Sequence, residues 1–205
     1  MRQSLVPGPI VAGATYSLFG AGIQADEVRF DGVTAEVLHS SPERIDVRAP
    51  ETVHGESRLE LISGGRSISV VDIPVDRADP GIYTWNRMGM GPALATNADG
   101  TLNSDANPAR LGSVITLYVN GVPDVNDSLR VCFSYSPEPA EIIGVERQAA
   151  GILAIRARVP RLPYPDHLGV QICAAGMCSR PIDRQPMWWW QKLDPRGVSL
   201  YLASP

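Results

Sequence analysis

A chain of 205 residues with a formal charge of -4 and a pI near 5.4 has no cationic footprint for nucleic acid, which would require lysine and arginine clustered on one face. Hydrophobic residues at 44% are enough to fill a core, yet no apolar run approaches the about 18 residues that a membrane span needs, so neither nucleic acid nor membrane insertion is expected. Gly 19 and Pro 18, well above ordinary usage, point to many short strands joined by turns.

The opening "MRQSLVPGP" lacks the apolar core of a signal peptide, so the chain is either cytoplasmic or already trimmed of an export signal. "PIVAGATYSLFGAGI", from Pro9, then returns as "PARLGSVITLYVNGV" from Pro108, an offset of 99 that also matches Gly13 with Gly112, Leu18 with Leu117 and Gly22 with Gly121. One module is therefore built twice. "EVRF" turns Val28 and Phe30 inward, and "RIDVRAP" alternates Ile45, Val47 and Ala49 against Arg44, Asp46 and Arg48, the period of two that marks a half-buried strand. "SRLELIS" places Leu59 and Leu61 on one face, and Gly64 and Gly65 then supply the positive φ of a two-residue hairpin turn. The following "SISVVDIPV" changes phase at Val70 and Val71, which predicts a bulge there, and Pro74 marks an edge or an end.

Residues 76–106 separate the two copies, and Ile82, Tyr83 and Trp85 make the stretch too apolar for a free tether; Pro80 to Asn97 reads as a hairpin-like lead-in to the second module, with "NADG" as a turn. "SLRVCFSY" then places Leu129, Val131, Phe133 and Tyr135 inward and Cys132 on the polar face. "AIRARVP" repeats the first alternation with Ile155, Ala157 and Val159. Helical spacing is convincing nowhere. The fold class expected is all-β, two tandem immunoglobulin-like sandwiches: residues 1–77, residues 78–186, and an aromatic C-terminal tail, 187–205.

"PGIYT" at Pro80, "NADGTLNSDANPA" at Asn97 and "GSVITLYVNGV" at Gly112 resemble an uncharacterised C-terminal domain family first noticed in Solibacter. "GATYSLFGAGI" and "VRFDGVTAEVLHSSPERIDVRAP" are similar to a TIG-type immunoglobulin-like module. The resemblance covers about residues 6–183, and it implies tandem sandwiches, export and an extracellular or cell-surface role, with no catalytic residues to carry over. "ERQAAGILAI" departs from the pattern usual before that strand, as do the cysteines and the tryptophan run.

Candidate chemistry is sparse. Cys173 and Cys178 flank "AAGM"; read as a four-residue hairpin loop, this sets the two cysteines face to face at disulfide distance, the alternative being two reduced thiols. Cys132 would then be left over, either inert or available to join subunits. Asn97, Asp99, Asn103 and Asp105 around Gly100 resemble a weak calcium loop, but an EF-hand register puts Ala95 and Ala106 where carboxylates belong, which favours a self-bonded turn. No cofactor is expected. His39, His54 and His167 lie in unrelated turns, and nucleophile-elbow, zinc and phosphate-loop motifs are absent, so no enzyme is expected.

Trp188, Trp189 and Trp190 adjoin, so at least one ring points away from whichever face packs inward. They cap the domain, dock another subunit, or offer a sugar-stacking platform. In the second case "GVSLYLA", with Leu200 and Tyr201, would add a strand to an exposed sheet edge of another subunit, head to tail, and grow a filament. The function expected is a non-catalytic surface module for adhesion or assembly with a protein partner or itself; the alternative is a carbohydrate-binding accessory module.

Overall fold

A computed structural model describes residues 9–86, 89–125, 128–161, 167–179 and 197–203. The fold is all-β, as expected; the described residues hold no helix beyond a single 3-10 turn, Ala149–Gly151. The chain divides into two compact units, one of Met1–Asp79 with Gly121–Pro123 and Ala149–Gly151, the other of Pro80–Asn120, Asp124–Gln148 and Ile152–Pro205.

Among the described residues, unit 1 is a sandwich of seven strands: β1 (Thr15–Phe19), β2 (Glu27–Phe30), β3 (Val33–Thr34), β4 (Glu36–Ser40), β5 (Arg44–Arg48), β6 (Gly55–Ser63) and β7 (Arg66–Val75). One sheet runs β1-β5-β4 and the other β3-β2-β6-β7. Val28, Phe30, Leu59, Leu61 and Ile73 from the second sheet meet Ile45 and Val47 from the first in one core. Alternation causes this: period two sends every apolar residue of these strands to one face, so a sheet stays soluble only by covering that face with another.

Turns fix the register. Gly64 and Gly65, φ +56° and +73°, close β6 onto β7 with Ser63 opposite Arg66. Asp31 and Gly32 do the same between β2 and β3, at φ +50° and +80°. The bulge on β7 falls earlier than expected: Leu61 pairs with Ser69 and Ile62 with Ser67, so Ile68 is the extra residue, and Val70 and Val71 simply alternate. A pair of β-branched residues in sequence mimics a phase change when the true slip lies two residues upstream.

Unit 2 contains β8 (Gly81–Ile82), β9 (Gly91–Pro92), β10 (Ala95–Thr96), β11 (Val114–Asn120), β12 (Arg130–Phe133), β13 (Ile142–Arg147), β14 (Leu153–Arg158), β15 (His167–Ala174), β16 (Met177–Cys178) and β17 (Val198–Tyr201). One sheet has the order β10-β11-β14-β13 with β8 also on β11; the other runs β12-β15-β17-β9 with β16 also on β15. Ile115, Leu117, Val119 and Ile155 of the first sheet are fully buried, as are Val131, Leu168, Val170, Ile172 and Leu200 of the second. Tyr135 is not the fourth inward residue of β12: the strand stops at Phe133, and Tyr135 sits at φ +63°, half-buried.

The sequence repeat is a structural repeat. Thr15 faces Arg48 and Leu18 faces Ile45 in unit 1; Val114 faces Arg158 and Leu117 faces Ile155 in unit 2, the same register displaced as a block. Gly13 and Gly112 both have positive φ, +70° and +76°, and each turns the chain into the strand that follows. The next residue's carbonyl closes the same bond in each copy, Ala49 N–H to Ala14 at 2.9 Å and Val159 N–H to Ser113 at 2.9 Å. The paired glycines persist because an L side chain at that φ is strained.

The lead-in from Pro80 is a hairpin, Thr84 bridging Ala93, and it belongs to unit 2 through β8, β9 and β10. The separate tail expected over 187–205 is corrected in part. Residues 197–203 are integral to unit 2, because β17 lies inside its second sheet rather than beyond it.

Candidate functional site

The most constructed feature of the molecule is the slot that holds β17. On one side the strand pairs antiparallel with β15, His167 opposite Tyr201, Leu168 opposite Leu200 and Val170 opposite Val198. On the other it pairs parallel with β9, where the Gly91 N–H donates to Gly197 O at 2.8 Å and the Ala93 N–H to Ser199 O at 2.7 Å. Val198, Leu200 and Leu202 alternate inward and are buried. Each such side chain contributes about 1.5–3 kcal/mol when fully removed from water.

Asn103 completes the slot. It is 1% exposed, and its side-chain amide holds both backbone groups of one residue: Nδ2 donates to Tyr201 O at 2.8 Å, and Oδ1 accepts from Tyr201 N–H at 2.9 Å. A primary amide presents a donor and an acceptor side by side, as a strand residue presents its N–H and C=O to one neighbour, so Asn103 serves as one more rung of the β-ladder. The Ala109 N–H adds a bond to Tyr201 O at 2.9 Å, and the Ala203 N–H returns one to Ala109 O at 2.9 Å. Nothing local in "GTLNSDAN" signals this role, since the partner lies 98 residues away.

The same bonds consume the calcium candidates. Asn97 Nδ2 donates to Asn107 O at 2.8 Å, and its Oδ1 accepts from Asn103 Nδ2 at 3.2 Å. Asp99 Oδ1 accepts from the Thr101 N–H at 3.0 Å and the Thr101 hydroxyl at 2.7 Å. The hydroxyl and then the amide hold the Asp99 carboxyl below its ordinary range. Asp105 is exposed. Among the described residues no group of three or more histidine, cysteine or acidic side chains is placed to hold a metal. "NADGTLN" is thus a self-bonded Asx turn, with Gly100 at φ +83° and its N–H on Asn97 O.

Cys173 and Cys178 are joined, with Cα atoms 4.0 Å apart, and face each other directly across β15 and β16. The loop differs from the four residues expected: Ala174 pairs with Met177, leaving a two-residue turn of Ala175 and Gly176, at φ +49° and +82°. It is the counterpart of the Gly64–Gly65 turn, with an alanine in the first place. Cys132 is free and half-buried, opposite Gln171.

The remaining candidates do not converge. His39 lies in β4 opposite Asp46, His54 precedes β6, and His167 opens β15. Trp188, Trp189 and Trp190 lie outside the described residues. Leu200 and Tyr201 are in β17, seated in the chain's own sheet. Trp85, in the turn of the lead-in hairpin, is 47% exposed and is the one described tryptophan. Among the described residues no helix is long and apolar enough to cross a membrane.

No family model matches this chain, and no curated protein matches it. Among solved structures it is similar to the Bacteroides ovatus mixed-linkage glucan utilization locus protein SGBP-B, in complex with a mixed-linkage heptasaccharide, at 12% identity and a TM-score of 0.39; the match covers 99% of this chain and 45% of that one. It is also similar to a chimeric titin Z1Z2 carrying an exogenous decorin peptide, at 14% identity, TM-score 0.23, covering 96% and 92% of the two chains. A third is titin z1z2 in complex with telethonin, at 13% identity, TM-score 0.23, covering 96% and 91%. The chain thus spans less than half the length of SGBP-B.

Proposed function

We propose that this chain is a non-catalytic extracellular or cell-surface module for adhesion or assembly, self-associating through its C-terminal segment. The observation that carries this reading is the β17 slot, where a C-terminal strand is held by ladder partners on both edges and by three buried apolar side chains. The Cys173–Cys178 bond agrees with export, since oxidising compartments preserve disulfides. Head-to-tail association of that kind grows an open filament rather than a ring. Sedimentation velocity of the native, unreduced full chain across a wide concentration range is the test. Concentration-dependent growth in size supports the reading, and a monomer throughout ends it.

Trp85 favours a second reading, a carbohydrate-binding accessory module, because a half-exposed indole offers a stacking face for a sugar ring. SGBP-B, whose structure holds a heptasaccharide, is a glycan-bound neighbour at low similarity. A glycan array on the wild type and on Trp85→Ala and Trp189→Ala separates the two: glycan binding lost in either variant, with unchanged size in solution, supports this alternative.

A further inference from the structure

We propose that the slot between β15 and β9 is an exchangeable strand site, which accepts residues 197–203 of a second copy of this chain in place of its own. This rests on the assembly reading above and names its mode. The site reads its occupant through backbone bonds from β15, Gly91, Ala93 and Asn103, and through sockets for Val198, Leu200 and Leu202. None of these contacts distinguishes a strand on the same chain from an identical strand on another.

What separates the two states is therefore the connection. Ser179, anchored by its N–H on Ile172 O, and Gly197 are joined through seventeen residues, 180–196, whose fully extended length is about 60 Å. Linkage within one chain sets an effective concentration for the strand in its own slot, against which a neighbour's strand competes. Below that concentration the chain closes on itself, and above it a neighbour's strand competes on equal terms. Reciprocal exchange closes a pair, and serial exchange produces the open chain. Every bond of the closed form is kept in both, so exchange leaves no polar group of the slot unpaired.

Two single variants test this in a Cys132→Ser background. His167→Cys on one chain and Tyr201→Cys on the other replace residues that are ladder partners. Mixed at micromolar to millimolar concentration and then oxidised, they are expected to give a disulfide-linked dimer whose yield rises with concentration. The yield falls to background when the Tyr201→Cys chain also carries Leu200→Asp, which cannot seat in the slot. The double variant on one chain, cross-linked internally at low concentration, reports that fold and register survive the substitutions. A fluorescent peptide of residues 197–203, added to the unsubstituted full chain, provides a second readout, with its Leu200→Asp form as the non-binder. The proposal is overturned if the double variant closes but the mixed chains never exceed the Leu200→Asp background, or if the double variant itself fails to close and the peptide does not bind. Oligomers in sedimentation without cross-linking would retain the assembly reading and reject exchange; a monomer throughout with no cross-linking rejects both.

Discussion

Replacing Asn103 by alanine should loosen the C-terminal strand by an amount that can be worked from its bonds. Tyr201 O keeps the Ala109 N–H, so its loss is only the net worth of one hydrogen bond, about 1 kcal/mol. The Tyr201 N–H loses its bond to Asn103 Oδ1, which costs about 1–3 kcal/mol. The sum is about 2–4 kcal/mol, concentrated in unit 2. Amide hydrogen exchange reads it directly: protection at Tyr201 should fall by a factor of about 30 to 1,000, since 1.4 kcal/mol is tenfold, while β5 and β6 of unit 1 keep theirs. Asn103→Asp is the sharper variant, because a carboxylate still accepts from Tyr201 N–H but faces Tyr201 O and Asn97 Oδ1 with no proton to give. Folding would raise that carboxyl above its unfolded value, so the variant should match the wild type best below about pH 4 and lose ground as pH rises through the raised value. If Asn103→Ala changes neither the exchange at Tyr201 nor the denaturant midpoint of unit 2, the amide is not the rung described here.

Three further outcomes follow from other sites. Reducing the Cys173–Cys178 bond, which closes a ring across only five residues of separation, should cost about 2 kcal/mol in the chain-entropy picture, seen as a lower urea midpoint for unit 2 with unit 1 unchanged. Gly112→Ala, at φ +76° and with only the flexible Arg161 side chain close by, should cost about 1–2 kcal/mol from backbone strain, checked by thermal melting. Asp31 accepts from the Arg58 N–H and from Ser57, bonds that hold its carboxyl below the ordinary range. A depressed carboxyl stabilises above its unfolded value near pH 4 and loses that contribution as pH falls through the folded one, so Asp31→Asn should be less stable than wild type at pH 7 and the gap should close toward pH 2 in urea titrations.

Local order was legible in the residues; long-range placement was not. The alternation in "RIDVRAP" and "AIRARVP" announced β5 and β14, the Gly64–Gly65 pair announced its hairpin, and the matched prolines and glycines announced the repeat that the registers reproduce. These signals lie within a few residues of the structure they cause. The bulge at Ile68 escaped, because a slip depends on how β6 meets β7 and two adjacent valines imitate it. Asn103 read as a turn residue and weak cation ligand because nothing nearby names its partner, 98 residues on. "GVSLYLA" showed that a strand would form, but a strand pattern does not say whose sheet it joins; the slot in unit 2 lacks a rung that only these residues supply.

That late arrival sets the timing of folding. The described strands of unit 1 are all made before residue 76, with only Gly121–Pro123 and Ala149–Gly151 added later, so its two layers can close while the rest of the chain is still being synthesised. The second sheet of unit 2 remains split between β15 and β9 until residues 198–202 emerge, and until then Leu168 and Val170 lack their cover. During that interval the half-finished sheet is open to any extended segment with apolar residues at every second position.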